Sequence, residues 1–333
     1  MEYLNTPILV IIYKRSKTLK KVIESIKKVK PKKIYFAANA PASNNSSEVR
    51  KVLNTRDLIK TINWECEIKR LFHKKHLIAS ESISSGISWF FENENEGIII
   101  EDDCVLSRDF YFFSQELLKK YRDNKSVFQI CASNFQDGNI RNDGDYYFSR
   151  FNHIWGWASW KRSWEKFDLS LNNFDQAIIN KAIDDNFDDF FVRIYWKIMV
   201  YYSKQFKYDT WDFQWMICMW IQKSYCITPN VNLVRNIGFG KNSTNTDNSL
   251  SKWSNMEEKN LPRPWLEPAL FELNDDADKY TMSEFFWNGN NKFYNIFRML
   301  IISILPKKLK NKLKIFKRRF ITKISKNKSN SDY

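Results

Sequence analysis

Short apolar runs alternate with amphipathic stretches through the first 132 residues, and this alternation restricts the fold more than any other feature. ILVII (8–12), KIYFAA (33–38), CEIKRLF (66–72), GIIIE (97–101) and VFQICA (127–132) have the length and β-branched content of buried strands. Between them, 16–29, 47–62, 80–92 and 110–123 carry helical spacing. In the first of these, Leu19, Val22, Ile23 and Ile26 share one face; Ser46 or Ser47 caps the second. Strand–helix alternation with short links predicts an α/β fold, a mostly parallel central sheet with helices on both faces. In such sheets ligands bind beyond the carboxyl ends of the strands.

The pattern changes after residue 140. DYYFSRFNHIWGWASWKRSW (145–164) is dense in aromatics, a helical stretch follows at about 174–207, and WDFQWMICMWIQKS (211–224) reads as a further helix. YCITPNVNLVRNIGFGKNSTNTD (225–247) reads as strand, turn, strand and a polar loop. The chain therefore divides at 1–135, 136–289 and 290–333, the first two being halves of one domain.

The five cysteines are scattered without CxxC spacing, as expected of small buried residues in a reducing compartment. Three histidines in no metal-binding pattern exclude a His-rich site, so any metal must sit on oxygen ligands. The apolar run near the N-terminus is too short for a signal peptide or a spanning helix and is the first strand. These features place the folded part in the cytoplasm.

Oxygen ligands are concentrated at GIIIEDDCVL (97–106), where a strand runs into Glu101, Asp102 and Asp103. Adjacent carboxylates repel one another. A hard divalent ion, shared with waters and substrate phosphates, relieves that repulsion and neutralises a departing diphosphate. A solvated acidic turn, or a cap for the helix that follows, is the plainer alternative.

Several segments in order resemble the metal-dependent, nucleotide-sugar-using glycosyltransferases of the GT-A fold, nearest the group around N-acetylglucosaminyltransferase I and related bacterial sugar transferases. TPILVIIYKRSKTLKKVIESI (6–26) resembles that group's first strand and helix, and GIIIEDDCVLSRDFYFFSQELL (97–118) its metal motif. HIWGWASWKRSW (153–164) is similar to its acceptor-side segment, TWDFQW (210–215) to its catalytic element, and VRNIGFGKNSTNT (234–246) to its mobile loop. The likeness spans roughly residues 6–250.

The resemblance implies a nucleotide-sugar-binding first half and an acceptor-binding second half. It makes Asp103 the direct ligand of Mn²⁺ or Mg²⁺, with Glu101 and Asp102 near the ribose and donor sugar. Arg15 would approach the uridine or diphosphate. Asn39 stands where the family often has an acid contacting uracil, a departure that leaves the base open. Asp212 would be the general base of an inverting transfer to a glycan or lipid-linked glycan; Trp211, Phe213 and Trp215 flank it, and Asp209 is its nearby competitor. A helix cap is the alternative role for Asp212. Lys241, Ser243 and Thr244 would close over the diphosphate, unless their loop is only surface. Trp155, Trp157 and Trp211 are acceptor-side platforms or core; Trp160 and Trp164 are core, and His153 is structural. A non-catalytic nucleotide- or carbohydrate-binding module on the same fold is the second hypothesis.

The net charge of +15 is uneven: residues 307–333 hold eleven lysines and arginines against one acid, Asp332. Residues 293–324 mix this charge with apolar residues at near-helical spacing, the pattern of a basic amphipathic helix lying on an anionic membrane surface. That would make the protein peripheral on the inner face of the cell membrane. Nucleic-acid binding by the same charge is the weaker reading, since it gives three clustered acids no role.

Overall fold

The computed structural model describes residues 3–43, 45–206, 209–239 and 252–304. Its first half is β1 (Ile8–Ile12), α1 (Ser16–Lys27), β2 (Lys33–Ala38), α2 (Ser46–Asp57), β3 (Glu67–Phe72), α3 (Ala79–Asn93), β4 (Glu96–Glu101), β5 (Cys104–Leu106), α4 (Arg108–Lys120) and β6 (Val127–Cys131). The second half adds β7 (Tyr146–Ser149), β8 (Trp157–Trp160), the single turn α5 (Lys161–Trp164), α6 (Gln176–Asn186), α7 (Phe190–Phe206), α8 (Asp212–Ile221), β9 (Tyr225–Pro229), β10 (Val234–Asn236), α9 (Asp275–Thr281) and α10 (Lys292–Ile304).

Eight strands form one sheet in the order β3-β2-β1-β4-β8-β6-β9-β7. β1, β2, β3 and β4 are mutually parallel. β8 inserts antiparallel between β4 and β6; β9 is parallel to β6, and β7 closes the edge antiparallel to β9. The predicted α/β architecture with a mostly parallel sheet is therefore present. Both faces are covered, so β1 is buried throughout and alternation decides only which layer each residue joins. Ile8, Val10 and Ile12 pack toward α1 and α4, whereas Leu9 and Ile11 pack toward α3 and α8.

The aromatic segment at 145–164 contributes two strands that sequence alone did not separate from loop. β8 presents Ile99 and Cys131 on either side of Trp157. Trp157 is 1% exposed and stacks on Trp211, with ring centroids 5.7 Å apart. Trp211 is likewise buried. Both are core rather than platforms for an acceptor, because the inserted strand turns Trp157 into the layer between the sheet and α8. Trp160 and Trp164 are core as expected. We expect Trp157→Ala to lower unfolding free energy by about 3–5 kcal/mol, measurable by chemical denaturation.

Smaller differences have local causes. Asn45, not Ser46 or Ser47, caps α2 by accepting from the Ser47 amide. The stretch 174–207 breaks into α6 and α7. The two strands expected at 225–236 do not pair with each other: β9 joins the large sheet, while β10 pairs antiparallel with β5. All five cysteines are free.

His153 is buried, its ring edge-on to Phe135 at 4.6 Å and to Phe285 at 5.5 Å. Burial pulls its pKa from 6.5 down to about 3, so the native imidazole stays neutral while the unfolded one takes a proton. That stability is complete above pH 6.5 and drains as pH falls toward 3, by about 1.4 kcal/mol per pH unit. Asp278 works in the opposite sense, since burial raises it to about 6. The difference between wild type and His153→Leu isolates the histidine. From pH 6.5 to 4.5 the wild type should lose about 2 kcal/mol more than the variant; parallel pH profiles would refute this.

Candidate active site

The site is built where β1 and β4 end side by side. Ile11 pairs with Glu101 at the last rung, so the residues after each strand emerge together. β1 continues as Tyr13, Lys14 and Arg15 into α1; β4 continues as Asp102 and Asp103 into β5. The Tyr13 amide donates to Asp102 Oδ2 at 3.1 Å, which fixes the acidic turn against the first strand. Arg15, at the start of α1, forms a close ion pair with Asp103 Oδ2 and lies 3.7 Å from Asp102 Oδ1. Three carboxylates and one guanidinium thus share one strand-end cluster.

The charge imbalance is visible in the protonation equilibria. Burial, then Asp103 and Asp102, push Glu101 up to about 8, with Arg15 pulling against them and Asp212 adding to the rise. Burial and then Asp103 push Asp102 up to about 7, against Arg15. For Arg15, burial acts downward but the surrounding carboxylates outweigh it, so its pKa is raised. One guanidinium does not balance these acids. Their hard oxygen donors suit a divalent cation, and the donor set is compatible with one that keeps waters and phosphate oxygens as its remaining ligands. Among the described residues, no group of three or more His, Cys, Asp or Glu is placed to hold a metal ion by itself.

Strand ends of this kind commonly open onto a ligand crevice, yet Asp102 and Asp103 are each only 6% exposed. Their cover is polar and comes from the β5–β10 ribbon. The Ile237 amide donates to the Asp103 carbonyl at 2.8 Å, and Gly238 lies directly on the carboxylate. A Cβ at Gly238 would stand 1.9 Å from Asp103 Oδ2, so only glycine permits this approach. The Gly238 amide is itself held by Asn236 Oδ1 at 2.8 Å. Gly238 lay within the loop read from sequence, but nothing in its composition marked this residue as the contact.

Asp212 begins α8, and its field reaches Glu101. Its carboxylate takes a close hydrogen bond from the Thr210 hydroxyl, while Asn152 Nδ2 holds its carbonyl at 3.0 Å. Asp209 is committed elsewhere: it accepts from the Ala79 and Ser80 amides at 3.1 and 2.7 Å and so caps α3. These bonds give Asp209 a structural role at the start of α3. The Thr210 and Asn152 contacts were not foreseen; the Thr-x-Asp spacing was the available signal.

Asn39 is buried and spent on the backbone. Its Nδ2 donates to the Leu77 carbonyl at 2.8 Å, and its Oδ1 accepts from the Ala40 and Leu77 amides. It ties the end of β2 to the approach to α3, so its amide is not directed at a base. Trp155 is half-buried and meets Phe135 and Phe239 edge-on at 5.1 and 5.6 Å. It is the one expected platform residue that retains exposed surface. Lys241, Ser243 and Thr244 lie outside the described residues.

No protein-family model matches the sequence, and no curated protein does. Among solved structures, HddC from Yersinia pseudotuberculosis is similar over 49% of this chain and 80% of its own, at 9% identity and a TM-score of 0.30. UDP-glucose pyrophosphorylase complexed with UDP-glucose covers 51% of this chain and 82% of its own, at 9% identity and TM-score 0.32. UTP-bound UGPase from Acinetobacter baumannii covers 68% and 85%, at 4% identity and TM-score 0.35. Neither a fold name nor a residue role is transferred from them.

Proposed function

We propose that the protein is a metal-dependent glycosyltransferase. It would move a sugar from a nucleoside-diphosphate donor, a UDP-sugar by the resemblance, to a glycan or lipid-linked glycan with inversion. One observation carries the reading: three carboxylates and Arg15 converge where β1 and β4 end, within the field of a separate carboxylate, Asp212, that caps no helix amide.

Asp103, with Asp102 beside it, would hold Mn²⁺ or Mg²⁺, which supplies charge neutralisation for the departing diphosphate. Arg15 adds a fixed positive charge at the same place. Donor entry requires Ile237–Phe239 to lift from Asp103, since Gly238 now occupies the space above its carboxylate. Asp212 takes the proton of an acceptor hydroxyl as its oxygen attacks the anomeric carbon. The bond from that carbon to the diphosphate oxygen breaks, and its electron pair leaves with the nucleoside diphosphate. Separate acids suit these tasks, because a carboxylate bound to a cation is a poor base. Thr210 and Asn152 hold Asp212 in place for this step.

The test is to incubate the protein with a panel of nucleotide sugars and glycan acceptors, with Mn²⁺, and to identify the phosphorus-containing product. Glycosyl transfer releases nucleoside diphosphate. Release of sugar 1-phosphate instead would identify nucleotidyl transfer, and donor binding without turnover would identify a non-catalytic module; either outcome defeats the proposal.

A further inference from the structure

We propose that the outer face formed by α7 and α10 is a docking surface for an anionic lipid bilayer. On α7, Phe190, Ile194, Ile198 and Tyr201 recur at helical spacing along one stripe. Phe190 and Tyr201 are 60% and 55% exposed. Ile194, Lys197, Ile198 and Tyr201 line a shallow hollow of about 330 Å³ on this stripe. The opposite side of α7, with Trp196 and Val200, is already buried in the core. The helix is therefore apolar on more of its circumference than internal packing uses.

α10 repeats the arrangement. Ile296 faces inward, whereas Phe293 and Phe297 are 58% and 66% exposed, with Tyr294 beside them. Phe191 and Phe293 meet at 4.6 Å, and the Tyr202 hydroxyl donates to the Met299 carbonyl at 3.2 Å. Phe190 and Phe191 meet at 5.6 Å, so ring contacts link the exposed face of α7 through Phe191 to Phe293 on α10. Aromatic side chains on a helical surface suit the interfacial layer of a bilayer, where ring bodies enter and polar tips stay wet.

Charge selects the occupant. The sequence following α10 carries eleven lysines and arginines and one acid. Such a segment is drawn to anionic headgroups, and it opposes the approach of a second copy with the same charge. No helix among the described residues is long and apolar enough to cross a membrane. The mode is adsorption on one leaflet, combining apolar insertion with electrostatic attraction. It does not depend on the catalytic reading.

Co-sedimentation of the full chain with neutral phosphatidylcholine vesicles and with vesicles containing phosphatidylglycerol tests it. We expect binding to the anionic vesicles alone. Phe293→Ser/Phe297→Ser should weaken it by about tenfold or more while the protein stays folded, with only a small drop in melting temperature for the lost Phe191–Phe293 contact. Equal recovery with both vesicle types would overturn the proposal. So would a double variant binding as tightly as wild type, since the basic segment would then act alone. A wild-type dimer that ignores lipid and dissociates in the double variant would assign the face to self-association instead.

Discussion

Replacing Asp212 by Asn should reduce kcat by about 10²–10⁴ while leaving donor affinity unchanged. Asparagine keeps the size of the side chain and an oxygen that can accept from Thr210, so the start of α8 stays in place. Asn152 binds the backbone carbonyl of residue 212 and is indifferent to the substitution. What the variant lacks is a group able to take the acceptor's proton. The neighbouring Asp209→Asn separates chemistry from structure. Asp209 caps α3 through two backbone amides, so that variant should lose about 1 kcal/mol of stability and keep most of its turnover. Steady-state kinetics on both variants decides the matter. An Asp212→Asn enzyme within threefold of wild type, as an order-of-magnitude margin, would remove Asp212 from the chemistry.

Asp103→Ala should reduce turnover by about 10³, with a much smaller effect on folding. Removing one partner of a buried ion pair ordinarily costs about 3–5 kcal/mol. Here two features offset that cost. Arg15 retains Asp102 Oδ1 at 3.7 Å, and loss of the Asp103 charge relieves the repulsion that raises Glu101 and Asp102. A large loss of activity with a small change in denaturation midpoint is the signature of a carboxylate retained for ligand binding. If the variant unfolds and the wild type shows no divalent-cation dependence, Asp103 is a structural ion pair.

The legible part of the fold was the part governed by local periodicity. β1 through β4 and the helices between them follow from runs whose burial and length leave little choice. β7 and β8 were not legible, because YYFS and WASW lie in a stretch where nearly every residue is apolar or aromatic and no period stands out. Their strand character comes from insertion between β4 and β6 and from pairing with β9, contacts far apart in sequence. The same cause leaves Trp157 and Trp211 undecided from sequence: an exposed sugar platform and a core ring look alike until the sheet order is known. The acidic turn was readable as a cluster, since three carboxylates in succession are conspicuous. Its cover was not. Gly238 meets Asp103 only because β10 pairs with β5, a register that no local pattern encodes. Asn39 shows the reverse, a polar residue at the right strand end whose side chain is consumed by the neighbouring loop.

The most direct test of the central claim is a thermal-shift titration with nucleoside-diphosphate sugars, run with Mn²⁺ and with chelator. A donor that binds through a shared cation should raise the melting temperature only when the metal is present. The shift should vanish in Asp103→Ala and persist in Asp212→Asn. A shift of equal size in chelator, or one that survives loss of the Asp103 carboxylate, would contradict the account.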